Sequence, residues 1–179
     1  MWWKIVLGIL AVIIVAALGY AYYVGFFAKI AVEEKEMGPY VLVYEEHRGA
    51  YKDIGIVMDK VYKSLLADGV ETTRGMGIYY NNPQNTPEAD LRSIGGSLIE
   101  EKDMDKLPVL EKKYKVMRIE KQKSIVVEFP YINQWSIMAG VMRVYSVMSK
   151  YIADHNYQTK EMVEIYDMPN GKIQYIMGL

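Results

Sequence analysis

Residues 161–169 read EMVEIYDMP, and residues 75–83 read GMGIYYNNP. In both segments an alternating run is followed by Asp or Asn and then Pro, which predicts a strand and a turn. We therefore interpret the chain as two copies of one unit, of which only the second carries a carboxylate in this strand, Glu164. Without a gap, the segments align at Met76/Met162, Tyr80/Tyr166, Asn81/Asp167 and Pro83/Pro169.

The predicted strand has two different faces. Because side chains alternate along a strand, Glu164 and Tyr166 share one face in the second copy. In the first copy Tyr79 and Tyr80 alternate in the same way, so only one of them can lie on the corresponding face. We expect Tyr80 there because it aligns with Tyr166, and we expect Tyr79 in the core.

Each half of the chain contains two strands, an amphipathic helix and two further strands, as judged from hydrophobic periodicity and turn residues. This order predicts an α+β fold, in which duplicated ββαββ units form one pseudo-twofold domain with two helices on one sheet face. We expect the other sheet face to be solvated or to form a cleft between the copies. The predicted helices span 51–67 and 134–154, and the predicted strands span 30–36, 40–47, 72–80, 91–99, 114–120, 124–129, 162–166 and 172–177.

Two smaller patterns concern packing. The pair Gly95-Gly96 inside a predicted strand indicates a bulge or a close approach of two backbones. Met138, Met142 and Met148 lie along the second helix. We expect them to pack in the core, although a methionine surface also suits promiscuous ligands.

The composition argues against several kinds of site. The chain has no cysteine and only two histidines, His47 and His155, which lie far apart in the sequence. We therefore expect no disulfide, no metal site and no cofactor. The formal net charge is −1, with basic residues scattered among acidic ones, so we expect no nucleic-acid partner. The 16 tyrosines indicate either aromatic packing or an aromatic pocket.

An uncharged segment of 24 residues, 5–28, separates Lys4 from Lys29. As a helix it would be about 36 Å long, slightly more than a bilayer core of about 30 Å. Aromatic residues cluster at both of its ends, as they do at membrane interfaces. We therefore expect residues 1–29 to form a single-pass membrane anchor and residues 30–179 to form a domain outside the cytoplasm. A cleaved signal peptide is the alternative, although its apolar region would be shorter, about 7–15 residues.

Four short motifs occur at corresponding places: Gly49-Ala50-Tyr51, residues 77–83 (GIYYNNP), Phe129-Pro130-Tyr131 and Glu164-Ile165-Tyr166. With these motifs, residues 30–179 resemble the GyrI-like effector-binding family. That family includes the drug-binding domains of AraC- and BmrR-type regulators and small gyrase-inhibitory proteins. A membrane-anchored branch of it includes an endoplasmic-reticulum phagy receptor. Because neither a long disordered tail nor a helix-turn-helix accompanies the domain in this sequence, we expect neither an autophagy role nor a transcription role.

The resemblance implies a pseudo-twofold cleft in which a glutamate meets cationic aromatic ligands among tyrosines. Glu164 matches that glutamate, and Tyr51 and Tyr131 occupy equivalent helix-entry positions. Trp135 either lines the cleft mouth or caps its helix. Without the resemblance, a lone strand glutamate would be expected to face water or to pair with a Lys or Arg. The expected ligand-binding residues are Glu164, Tyr166, Tyr80, Tyr51, Tyr131 and Trp135.

Three functions remain open at this point. The first is a membrane-anchored domain that binds a small lipophilic or cationic molecule. The second is a non-enzymatic scaffold that presents a surface to a protein partner at the membrane. The third is a hydrolase in which Glu164 serves as the general base. It ranks last because the sequence indicates no second acid, nucleophile or metal set.

Overall fold

The computed structural model describes residues 2–179 and confirms the predicted order of strands and helices. Each half contains two strands, a helix and two more strands, and the charged connector between the halves holds a short helix. The helices are α1 (Trp2–Tyr23), α2 (Ile54–Ala67), α3 (Leu107–Leu110) and α4 (Gln134–His155). The strands are β1 (Val32–Met37), β2 (Tyr40–Arg48), β3 (Arg74–Tyr79), β4 (Arg92–Leu98), β5 (Lys115–Ile119), β6 (Gln122–Pro130), β7 (Met162–Asp167) and β8 (Lys172–Gly178).

The eight strands form one curled antiparallel sheet in the order β1-β6-β8-β7-β3-β4-β2-β5. If each strand of one half is exchanged for its counterpart in the other half, the same order is obtained in reverse. The sheet therefore has a pseudo-twofold relation centred between β3 and β7. Each half also gives an edge strand to the other, because β1 pairs with β6 and β5 pairs with β2. This exchange was not apparent from the sequence, and it joins the halves into a single unit.

Helices α2 and α4 lie on the same face of the sheet, as predicted. Ile54 of α2 lies against Gly95, at 3.0 Å from where a Cβ would be. Gly95 lies opposite Gly77, and Gly77 lies opposite Glu164. All three residues therefore lie on the face of the sheet that the helices cover. Glu164 therefore lies beneath the two helices.

The opposite face of the sheet is neither solvated nor a cleft, which corrects our expectation. The sheet curls around this face and buries an apolar cluster that includes Met76, Ile94, Ile165 and Ile176. Gly96 is on this face, where a Cβ would lie 1.9 Å from the carbonyl oxygen of Val43. The close backbone approach predicted from Gly95-Gly96 is confirmed at Gly96, and it allows the sheet to bend.

The N-terminus of α4 is fixed by its own side chains. The Asn133 side chain accepts a hydrogen bond from the backbone N–H of Trp135, and Ser136 completes a reciprocal capping box. Such a cap satisfies backbone donors that the first turn leaves unpaired. The helix ends at Asn156, whose left-handed backbone (φ 53°) closes the last turn.

Helix α1 ends earlier than the uncharged segment does. It spans Trp2–Tyr23, and Val24 and Gly25 are buried against the domain. Gly25 adopts a φ of +84°, and a Cβ there would lie 3.3 Å from Pro130. The prediction that residues 24–28 continue the helix is therefore wrong. Within residues 2–179, α1 is the one helix long and apolar enough to cross a membrane, with a mean hydropathy of 2.5, a property that signal sequences share.

Candidate functional site

A buried carboxylate lies at the centre of the sheet, beneath the helices. Glu164 of β7 is 2% exposed, and its carboxylate accepts hydrogen bonds from three tyrosine hydroxyls. Tyr145 of α4 donates to Oε1 at 2.8 Å. Tyr166 of the same strand donates to Oε2 at 2.5 Å, and Tyr79 of β3 donates to Oε2 at the longer distance of 3.4 Å.

The electrostatic balance of this carboxylate is unusual, because its partners carry no positive charge. Within residues 2–179 no Lys, Arg or His forms a salt bridge with Glu164. Burial raises the pKa of Glu164, and the hydrogen bonds from Tyr166, Tyr145 and Tyr79 only partly oppose that rise. A buried carboxylate without a counter-charge is costly in free energy. A cation near this carboxylate would offset that cost.

The surrounding tyrosines remain protonated and act as hydrogen-bond donors. Burial, followed by the charge of Glu164, raises the pKa of Tyr145, Tyr79 and Tyr166. Tyr175 lies opposite Glu164 on β8, and its ring meets the ring of Tyr145 edge-on at 5.9 Å. Its hydroxyl is buried against Gly140 of α4 and has no hydrogen-bond partner within residues 2–179.

The two halves contribute to the site symmetrically, but with a register that the sequence comparison missed. Gly77 pairs with Glu164, so the face that carries Glu164 in β7 carries Gly77 and Tyr79 in β3. Corresponding residues of the two halves are therefore 87 positions apart, and not 86 as in the gapless alignment. Tyr79 is then the counterpart of Tyr166. Our expectation for Tyr80 is therefore wrong, because Tyr80 is exposed at the cavity rim. Tyr79 is buried in the core as expected, but it lies on the face of Glu164 and contacts that carboxylate.

The aromatic neighbours support this corrected register. Tyr51 meets Tyr79 edge-on at a centroid distance of 4.9 Å, and Tyr131 meets Tyr166 edge-on at 6.4 Å. Each half thus supplies one helix-entry tyrosine that packs on one carboxylate-binding tyrosine. The equivalence of Tyr51 and Tyr131 proposed from the sequence agrees with these contacts.

The pseudo-twofold relation also accounts for the single carboxylate. The counterpart of Glu164 at an offset of 87 residues is Gly77, which is also its partner across the strand pair. A Cβ at Gly77 would lie 3.0 Å from the hydroxyl oxygen of Tyr79, whose ring folds over this position. Glycine therefore leaves room for Tyr79 to reach Glu164, whereas a side chain at this position would push the Tyr79 ring aside.

A cavity of about 1680 Å³ opens above Glu164 and is lined from both halves of the chain. Strands β3 and β7 provide its floor, which includes Tyr79, Glu164 and Tyr166. Helices α2 and α4 provide its two walls, and Tyr51 and Tyr131 also contact it. The apolar wall residues include Ile54, Met58, Ile137, Met138, Val141 and Met142.

Two expectations about α4 can be compared with this arrangement. Trp135 is 62% exposed and is not among the residues that line the cavity, although its backbone N–H takes part in the helix cap. Met148 is buried in the core as expected, whereas Met138 and Met142 are exposed at the cavity wall. The methionine stripe therefore belongs partly to the cavity and not wholly to the core.

Tyr145 and Tyr175 were not predicted as site residues, and Tyr79 was predicted only as a core residue. Tyr145 lies within the predicted helix 134–154, and Tyr175 lies within the predicted strand 172–177. Alternation along 172–177 groups Tyr175 with Ile173 and Met177, and the pairing of β8 with β7 then places Tyr175 opposite Glu164. For Tyr145, knowledge of how α4 lies over β7 was required.

Comparison with known proteins gives a consistent result. A family model described as GyrI-like small molecule binding domain matches residues 30–174. Testis-expressed protein 264 homolog of Mus musculus is 25% identical over 147 residues, which cover 77% of this chain and 44% of that protein. The match therefore spans less than half the length of this curated relative.

Solved structures with similar folds include two of EcmrR. The crystal structure of its C-terminal domain has a TM-score of 0.58 at 9% identity, covering 83% of this chain and 96% of that chain. The cryo-EM structure of an EcmrR–DNA complex has a TM-score of 0.59 at 10% identity, covering 92% and 62%. The structure of SAV2435 bound to tetraphenylphosphonium has a TM-score of 0.53 at 12% identity, covering 83% and 93%. At such identities the likeness concerns the fold.

Proposed function

Because the chain belongs to the GyrI-like small molecule binding domain family, we propose that it binds lipophilic cations in the cavity between α2 and α4, at a membrane that α1 spans. The observation that carries this proposal is the buried carboxylate of Glu164, which within residues 2–179 has three tyrosine donors but no positively charged partner. Neutral small molecules would leave this carboxylate unpaired, whereas a cation would neutralise it.

The attraction between Glu164 and a cation is large at this position. Two unit charges about 4 Å apart attract by about 4 kcal/mol at an effective dielectric constant of about 20. The protein has already lost the hydration of the carboxylate on folding, so binding adds mainly the desolvation of the ligand. A ligand whose charge is spread over apolar groups loses little hydration, and for that reason we favour lipophilic cations over small ions.

The aromatic rings of the cavity add a second contribution. Tyr51, Tyr131, Tyr79 and Tyr166 lie around the carboxylate in two edge-on pairs. A cation that lies over such a ring gains about 0.5–2 kcal/mol per contact. The rings also offer flat surfaces to the aryl groups of a ligand.

The walls of the cavity suit ligands of several shapes. Met58 of α2 and Met138 and Met142 of α4 line it. Methionine side chains are flexible and polarisable, so they adapt to different apolar partners. The cavity volume of about 1680 Å³ also exceeds the roughly 300–1,000 Å³ of ordinary ligand pockets. We therefore propose a broad rather than a narrow ligand range.

A ligand-bound structure of similar fold supports the choice of probe. SAV2435 is bound to tetraphenylphosphonium in its structure, and this ion combines a delocalised positive charge with four phenyl groups. Tetraphenylborate has the same shape and the opposite charge. The two ions therefore separate the contribution of charge from that of apolar contact.

The test is a thermal-unfolding measurement on the full chain in lipid nanodiscs with each ion in turn. We expect tetraphenylphosphonium to raise the unfolding temperature. At about 100 times its dissociation constant a ligand adds about 2.7 kcal/mol, or roughly 5–10 °C for a chain of this size. We expect tetraphenylborate to give no increase, because Glu164 would repel it.

Equal stabilisation by both ions would contradict the proposal, since it would show apolar partition without charge recognition. No stabilisation by either ion would also contradict it. That second outcome would favour the alternative of a protein-interaction scaffold at the membrane.

A further inference from the structure

The place where α1 leaves the domain can be located from strand pairing. Gly25, two residues after α1, lies against Pro130 at the end of β6. Pro130 pairs with Lys172 at the start of β8, and Lys172 pairs with Asp167 at the end of β7. The start of α4 and the β7–β8 turn therefore lie at the same end of the domain as the exit of α1.

Four apolar side chains at this end of the domain are exposed to solvent, between 41% and 62%. Three of them lie just before α4 or in its first two turns, and the fourth lies in the β7–β8 turn. The two segments are joined by a hydrogen bond from the backbone N–H of Tyr131 to the carbonyl oxygen of Gly171, at 2.8 Å. We call this surface the exit patch, and it consists of Ile132, Trp135, Met138 and Met168.

We infer that the exit patch rests on the surface of the bilayer that α1 crosses, so that this side of the cavity opens toward lipid. The inference rests on the membrane anchor of the proposed function. It adds a second contact between the protein and the membrane, and it names the bilayer as the source from which lipophilic cations enter.

The chemistry of the exit suits a membrane interface. Exposed aromatic residues at the C-terminal end of α1, Tyr22, Tyr23 and Phe27, mark the level at which the helix leaves the hydrocarbon. Lys29 follows and is exposed, where it can meet lipid phosphates. Tryptophan is favoured at this level because its ring is apolar and its N–H is polar. The exposed side chain of Trp135, at the same end of the domain as the exit, is therefore better suited to a lipid interface than to water.

The exit patch is continuous with the cavity. Met138 and Met168 line the cavity, and so does Tyr131, which lies at the same end of the domain. A lipophilic ion concentrated in the headgroup region would meet these side chains before it meets Glu164. Entry from the bilayer thus requires no passage through bulk water.

The pseudo-twofold relation supplies a matched control position. Ile56 lies in the first turns of α2, as Trp135 does in α4, and it is 72% exposed. However, Tyr51 before α2 is bonded to Asn81, just beyond the end of β3 where Tyr79 pairs with Met162. Ile56 is therefore an exposed apolar residue at the end of the domain opposite to the exit patch.

The chain has three tryptophans, Trp2, Trp3 and Trp135, which makes a fluorescence test practicable. The test variant carries Trp2→Phe and Trp3→Phe, so that Trp135 alone reports. The control variant adds Trp135→Phe and Ile56→Trp. Both full chains are reconstituted into phosphatidylcholine vesicles, with or without lipids brominated on the upper acyl chain, and circular dichroism checks that both are folded.

We expect brominated lipid to quench the emission of Trp135. We also expect Trp135 to emit at a shorter wavelength than the tryptophan of the control, and aqueous acrylamide to quench Trp135 only weakly. The tryptophan at position 56 should show the reverse pattern. Quenching of Trp135 by acrylamide but not by brominated lipid, in vesicle-bound protein, would overturn the inference. Tetraphenylphosphonium binding to the same samples is measured separately, so that loss of the lipid contact and loss of the ligand site are distinguished.

Discussion

Glu34 and Glu164 each accept hydrogen bonds from more than one tyrosine, and the difference between these two carboxylates explains the properties of the site. Glu34 is bonded by Lys123, Tyr157 and Tyr151, and these bonds lower its pKa to about 2. Glu164 has tyrosine donors only, and burial raises its pKa instead. Hydroxyl donors alone do not offset the loss of water around a charge. Glu164 is therefore the carboxylate of the pair that still needs a cation.

The raised pKa of Glu164 predicts how stability depends on pH in the absence of ligand. Above its ordinary value of 4.5, the unfolded chain loses this proton before the folded chain does. The folded state then binds more protons, so the free energy of unfolding falls as pH rises from 4.5 through the raised pKa. We expect Glu164→Gln to remove this decrease. Urea unfolding of both proteins across that pH range measures it.

The control for this pH dependence is Glu161→Gln, which removes an exposed carboxylate that also lines the cavity. It should retain the wild-type profile. If the wild type and the Glu164→Gln variant change in parallel above pH 4.5, the carboxylate does not carry the burial cost described here.

At the scale of elements, local sequence predicted most of the structure. The periodicity of α2 and α4 and the alternation of the strands placed ten elements in the right order, because each pattern reflects burial on one side of an element. The gapless alignment of two strands failed by one residue. Since a one-residue slip exchanges the faces of a strand, that error placed Tyr80 instead of Tyr79 toward Glu164.

Two other features depended on contacts between distant parts of the chain. The exchange of β1 and β5 between the halves is set by strand pairing across the sheet, which no local pattern records. The end of α1 at Tyr23 depends on Gly25 packing against Pro130, more than a hundred residues away. Hydropathy alone extended the helix through these residues because they are uncharged.

Substitution of alanine for two of the glycines should change stability in opposite directions. A Cβ at Gly96 of β4 would lie 1.9 Å from the carbonyl oxygen of Val43, so Gly96→Ala forces β2 and β4 apart. Overpacking of this kind typically costs about 1–3 kcal/mol, and a backbone clash places this case at the upper end or beyond. At Gly55 in α2 nothing lies within 4 Å of a Cβ, so Gly55→Ala should stabilise the helix by roughly 0.5–1 kcal/mol.

Urea unfolding of the two alanine variants gives the comparison directly. Equal free energies of unfolding for the two would show that β4 can move away from β2 without cost, contrary to the close backbone approach at Gly96.

At the scale of the whole molecule, the proposed ligand site depends on both copies of the repeat. Tyr51 and Tyr79 come from the first half, whereas Tyr131, Tyr166 and Glu164 come from the second. The repeat places two aromatic pairs around the pseudo-twofold axis between β3 and β7. The single carboxylate of Glu164 lies at that axis. In our account α1 holds this cavity at a membrane, where lipophilic cations accumulate.

The most direct measurement is the dissociation constant of tetraphenylphosphonium for the full chain in nanodiscs, by equilibrium dialysis near neutral pH. We expect Glu164→Gln to weaken binding at least about tenfold, which corresponds to about 1.4 kcal/mol. Glu161→Gln, with the same change of charge at the cavity rim, should change it less than about twofold because exposed charges are screened by water. Binding to a folded Glu164→Gln variant as tight as to the wild type would contradict the central role of this carboxylate.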